Sequence, residues 1–217
     1  MASLSAIKQP TGEPRKLSWA KIVSDVLSPP VVWIALSLIV SWNASATFGE
    51  GLYWAFIYSF FVCIMPVAFI VYQLYTGEIG DIHMQYRHER YKPLAITVVS
   101  TVVAWAILHA LRAPMVVELL AIMSLVEVAI ISVITLYWQI SMHAMAITGA
   151  TMAIGIIFNT PLAILTIPLI VLVGAARLSL DRHTPAQVFA GAMVGALAPV
   201  FLFLFGSPVL RAILQTI

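Results

Sequence analysis

Charge is scarce in this 217-residue chain: 9% of its residues are Asp, Glu, Lys or Arg, against 62% apolar. Soluble domains carry about 25% charged and 45–50% apolar residues, so a water-soluble globule is excluded. Cysteine is nearly absent. Cys63, the only one, rules out an intrachain disulfide and leaves the redox compartment open. Aspartate is limited to Asp25, Asp81 and Asp181, too scattered for the paired motifs that hold magnesium around a pyrophosphate, and no metal or other cofactor is expected. The net charge of +2, with no basic–aromatic patch, excludes nucleic acid as a partner. Residues 1–28 lack an apolar core followed by a small-residue cleavage site, so no signal peptide is expected. There is no internal repeat and no low-complexity segment.

What the chain does have is long apolar runs, several of them near or beyond the ~20 residues a helix needs to cross a bilayer. Only helices or closed barrels satisfy the backbone inside lipid. The expected fold is therefore all-α: a polytopic transmembrane helix bundle of six to seven spans, a single domain over 29–217 behind an N-terminal segment at 1–28. Seven spans fit the runs at roughly 30–46, 52–75, 93–111, 114–138, a fifth ending near Phe158, a sixth ending near Arg177, and 185–205. Within 1–28, Trp19, Ile22, Val23, Val26 and Leu27 share one helical face, with Lys16, Lys21 and Asp25 off it. That pattern suits an amphipathic helix in the interface, or an extension of the first span.

Seven crossings would return the loops at 76–93, 139–143 and 177–185 to the face that carries the N-terminus. Those loops hold His83, Arg87, His88, Arg90, Lys92, Ser141, His143, Arg177, Arg182 and His183, which include four of the five histidines. Three spans also begin there, so three positive helix ends point at the same place. Lys8, Arg15, Lys16 and Lys21 add to its basic excess over Arg112 and Arg211 opposite, which puts this face in the cytoplasm by the positive-inside rule. Arginine offers forked donors for phosphate oxygens, and histidine is a nucleophile or proton donor near neutral pH.

The stretch from Ala175 to Gly195, AARLSLDRHTPAQVFAGAMVG, is the centre of this gathering. Thr184 suits an N-cap and Pro185 a first helical residue, so a helix should begin directly after His183. Ala176-Arg177, five residues, His183, three residues and Gln187 resemble the Ser-Arg-x5-His-x3-Asp motif of the type 2 phosphatidic acid phosphatase superfamily, the lipid phosphate phosphatases. Ile140-Ser141-Met142-His143 stands where that family has Pro-Ser-Gly-His. Lys92-Pro93 stands for its Arg-Pro, with Gln85 at the place of its lysine and Arg87 and Arg90 nearby. The resemblance runs from about Asp81 to Gly195.

It implies metal-independent hydrolysis of a lipid phosphate monoester, phosphatidate-like or isoprenyl, on an integral membrane protein. His183 would match the nucleophile that forms a phosphohistidine, and His143 the acid that protonates the leaving oxygen. Arg177, Ser141, Arg87, Arg90, Lys92 and Arg182 would hold the phosphate oxygens. Gln187 departs from the family's aspartate: it can orient the ring without adding charge, and Asp181 or Glu89 would be the carboxylates available instead. The alternative is a non-catalytic or repurposed relative that binds or transports phosphorylated lipid. The bilayer and such a lipid are the expected partners.

Two acidic residues stand apart. Glu118 and Glu127 fall in the fourth span and project from opposite faces. Glu127, the deeper, is read as a protonated group bonded to a neighbouring helix, in preference to a transporter's proton path. His109 is expected near the far rim, and the Gly191-x-x-x-Gly195 pair to allow close helix packing.

Overall fold

The computed structural model describes residues 18–82, 84 and 86–205, with side chains as far as Val200. The N-terminal tail, Lys16, His83, Gln85 and Arg211 lie outside the described residues. Every regular element among the described residues is helical: α1 (Trp19–Val26), α2 (Pro29–Asn43), α3 (Phe48–Ser59), α4 (Met65–Tyr75), α5 (Tyr91–Ala110), α6 (Met115–Thr135), α7 (Met142–Ile157), α8 (Thr160–Ser179) and α9 (Pro185–Phe205).

The starts are local chemistry. The Ser141 hydroxyl accepts from the Ala144 N–H at 3.3 Å and the Asn159 side-chain oxygen from the Leu162 N–H at 3.0 Å. Thr184 does the same for the Gln187 N–H at 3.3 Å, so α9 begins at Pro185 as its cap predicts. Between α3 and α4 the helix widens into a π-turn over Phe60–Ile64, where the Met65 N–H reaches back to the Phe60 carbonyl. Pro66 has no N–H to offer residue 62, and the turn before it loosens accordingly.

Four helical runs are long and apolar enough to cross a membrane: Phe48–Tyr75, Arg87–Ala110, Met115–Thr135 and Thr160–Ser179. Counting α1 and α2, bent by 47° at Leu27-Ser28, as one span makes five. The expected first and fifth spans are therefore not long enough by themselves. Asn43 ends α2 after 15 residues and the Ser141 and Asn159 caps confine α7 to 16, whereas α9 runs 21 residues from Pro185 to Phe205.

The shortness of α7 goes with its position. Its residues from His143 to Thr151 are all buried, walled in by α2, α6, α8 and α9. A helix apolar all round belongs in a bundle's core. Its tightest neighbour is α9, whose Gly191 lies against the Ser141 carbonyl and Gly195 against that of Met145, so closely that a Cβ at either would overlap backbone. The expected small-residue packing is found, and it sets the start of α7 beside the start of α9. Hydroxyl pairs tie other helices: Tyr58 to Ser124 at 2.5 Å and Ser37 to Ser59 at 3.0 Å.

α1 is amphipathic, as the spacing of its apolar residues predicts. Trp19, Ile22 and Val26 are exposed on the outside, while Ala20 and Ser24 are the residues turned inward, against α8. Lys21 and Asp25 form an exposed ion pair. An outward apolar stripe with paired charges beside it fits a helix lying at a membrane surface.

Candidate phosphate site

Three loops meet at one end of the bundle and are stitched together there. The Ser141 N–H donates to the Gln187 carbonyl at 3.0 Å, Arg182 pairs with Asp81 at 2.8 Å, and Arg90 donates to the Ile140 carbonyl at 3.4 Å. The α7 and α9 starts are thus fixed to each other and to the 76–86 loop. The gathering expected from the span count is present.

Beneath the stitching lies a cavity of about 500 Å³, whose wall at this end includes Arg90, His143, Arg177 and His183. All four are buried. The lining continues inward past Pro93 and Leu94 of α5 and Met145 of α7 to Cys63, Thr101, Ser124 and Glu127. On the side of α2 and the 76–86 loop its lining residues Val31 and Ile82 are exposed, which marks the open end.

Each polar group on the wall is held from behind. Arg90 Nε donates to the Met84 carbonyl at 3.1 Å, and Gln139, with its amide oxygen toward the guanidinium, accepts from Nη2 at 2.6 Å. Arg177 Nη1 donates to the Ser24 hydroxyl at 2.6 Å, while its Nε–H has no partner among the described residues. His143 Nε2 lies 3.1 Å from the Ser24 carbonyl and 3.4 Å from its hydroxyl. Ser24, a residue the sequence pattern did not single out, therefore contacts both Arg177 and His143 from α1. Its one signal is a small polar side chain one turn after Ala20 in an otherwise bulky helix.

His183 owes its orientation to Gln187. The Gln187 Oε1 lies 3.3 Å from His183 Nδ1 and also accepts from the Thr184 N–H at 3.0 Å. With the proton on Nδ1 and donated to that amide oxygen, the Nε2 lone pair is left free. Burial, then the positive charges of Arg177 and Arg90, push the imidazole down to about 4 against the Gln187 bond, so it is neutral near pH 7. Asp181 and Glu89, the carboxylates expected to support it, do not do so. Glu89 accepts from the backbone N–H groups of Gly80 and Tyr86, both at 3.1 Å, and Asp181 is exposed in a left-handed turn at φ 52°. The acidic groups whose charge reaches this end are Asp25 and Asp81, near Arg177, and Glu89, near Arg90.

The other expected phosphate ligands stand off the cavity wall. Ser141 spends its hydroxyl on the α7 cap, and Arg182 spends its guanidinium on Asp81. Arg87 donates to the Tyr137 carbonyl at 2.6 Å and Lys92 pairs with Glu78 at 2.7 Å, both at the surface. At the opposite end, His109 bonds Glu118 at 3.0 Å, as a structural pair near that rim.

The neutral Gln187 makes a pH prediction. The unfolded chain takes up a proton on this histidine at its ordinary 6.5 and the folded chain only near 4, so acidification through that window destabilises the fold. Gln187→Glu keeps both hydrogen bonds and adds a charge beside the ring, which should raise the folded value by ~1–3 units. The expected outcome is a smaller loss of thermal stability between pH 7 and pH 5 than in the parent, read from unfolding in detergent.

The chain matches no known protein family, no characterised protein and no solved structure.

Proposed function

We propose that the protein is an integral membrane phosphatase with seven spans, hydrolysing a lipid phosphate monoester through a phosphohistidine, as its likeness to the lipid phosphate phosphatases implies. The observation that carries this reading is the wall of Arg90, Arg177, His143 and His183 around one cavity end, with the Arg177 Nε–H unpartnered. Arg90 and Arg177 donate to neutral carbonyl, amide or hydroxyl oxygens. With Arg182 and Lys21 they make four cations against the three carboxylates of Asp25, Asp81 and Glu89. The surplus is positive, and buried cations call for an anionic partner such as a phosphate.

The proposed chemistry starts from the lone pair on His183 Nε2. His183 Nε2 attacks phosphorus, the P–O bond to the lipid breaks, and the departing oxygen takes a proton from His143. Water, giving a proton back to His143, then attacks the phosphohistidine, breaking the P–N bond, releasing inorganic phosphate and restoring both rings. Arg90 and Arg177 stabilise the equatorial oxygens as charge moves during both displacements. The apolar remainder of the cavity accepts the lipid, and the excess of Lys and Arg at this end supports a cytoplasmic site.

The test is phosphate release from a panel of phosphatidate, lysophosphatidate and isoprenyl phosphates, by purified protein in lipid micelles with EDTA. Release that is indifferent to EDTA is expected. Absence of release from every member overturns the enzymatic reading, and binding without turnover favours a carrier or sensor of phosphorylated lipid.

A further inference from the structure

The inner end of the cavity contains a group that hydrolysis does not use. Glu127, in the middle of α6, is 1% exposed, lines the cavity, and has no hydrogen-bond partner for either carboxyl oxygen among the described residues. The expected bond to a neighbouring helix is absent. Instead α7 passes the carboxyl at Gly149, where a Cβ would overlap it. A side chain has been omitted from the core helix and the carboxyl occupies the room. The nearby hydroxyls do not satisfy it: Ser124 donates to the Leu120 carbonyl and pairs with Tyr58. A carboxyl left so in a cavity wall lacks a partner that the cavity's occupant can provide.

We propose that Glu127 is a second recognition point, hydrogen-bonding a carbonyl oxygen of an acylated lipid phosphate and so selecting acyl lipids over isoprenyl phosphates. The proposal rests on the outer end being the phosphate site. Gly149 is six residues along α7 from His143, about 9 Å at 1.5 Å per residue. In a phosphorylated acylglycerol the ester carbonyl lies five or six bonds from phosphorus, about 6–7 Å when extended at a chain's ~1.2 Å per bond. A hydrogen bond of ~2.7 Å from a carboxylic acid covers the rest. An isoprenyl chain presents only C–H groups at that depth and leaves the carboxyl unpaired. Sites built to bond a polar substrate group reject analogues that lack it, here by an expected tenfold or more.

The experiment compares diacyl phosphatidate, its dialkyl ether analogue without carbonyls, and farnesyl phosphate, by kcat/KM on the full chain in micelles. The thermal shifts given by the phosphonate analogues of the same three lipids are measured in parallel. The parent should prefer the diacyl compound over the ether at least tenfold in both readouts. Glu127→Gln, which keeps a donor, should retain most of that preference. Glu127→Leu should lose it by weakening the diacyl compound alone, and Glu127→Met serves the same purpose if the leucine variant does not fold. Equal treatment of ester and ether by the parent, or an undiminished preference in the apolar variants, overturns the proposal. A preference in the thermal shifts with no phosphate released from any lipid upholds this carbonyl site and overturns the phosphatase reading instead.

Discussion

His183→Ala is expected to lower phosphate release by at least ~10³-fold while leaving the protein folded and able to bind a phosphonate lipid. The ring lines the cavity and bonds only Gln187 among the described residues, so its removal enlarges a space that already exists. The loss falls on turnover, because Arg90 and Arg177 remain to hold the anion. Acid-labile, alkali-stable label on the protein after a quench with ³²P-lipid should be present in the parent and absent in the variant. His143→Ala supplies the contrast. It lacks the proton donor, so its defect should be large for an alkyl phosphate and small for p-nitrophenyl phosphate, whose leaving group needs no proton. Label persisting in His183→Ala would assign the nucleophile elsewhere.

Gly195→Val should prevent the bundle from assembling. A Cβ there would overlap the Met145 carbonyl and crowd the Gly149 nitrogen, and both belong to the backbone of the most enclosed helix. Overpacking commonly costs 1–3 kcal/mol when side chains can yield; two helix backbones cannot, so about 3 kcal/mol or more is expected. A bundle that did form would have its α9 start, with His183, pushed away from His143. The measurement is the yield of monodisperse protein and its unfolding temperature in detergent. Gly49→Ala is the control: a Cβ at Gly49 has nothing within 4 Å, and the variant should behave as the parent does. A Gly195→Val protein as stable as that control would show that α7 and α9 do not meet as described.

The helix starts were legible because each is written in a few neighbouring residues. Thr184-Pro185 opens α9 where its cap and proline say, and Ser141, expected on the phosphate, caps α7 instead. The convergence of His143, Arg177 and His183 was legible from motif spacing and loop order. Span lengths were less so, because hydropathy runs through the Gln139–Met142 break and past Asn43, while hydrogen bonding stops the helices there. Which of the basic residues at 87–92 face inward could not be read. Arg87 and Arg90 share a 3₁₀ turn, yet one reaches the exposed Tyr137 backbone and the other is enclosed by Met84, Gln139 and Ile140. That choice is made by the partner loop, and nothing within residues 87–90 records it. Ser24 is hidden for the same reason: its partners are more than a hundred positions away.

Gln187 begins a helix, orients a ring and receives the Ser141 N–H through its carbonyl, all at one position. A replacement there must keep an oxygen within reach of both the Thr184 N–H and the imidazole. Glutamate reaches equally far and lies one nucleotide change away in the genetic code. The lineage can therefore adjust the basicity of the His183 ring in a single mutational step, without disturbing the architecture that presents it.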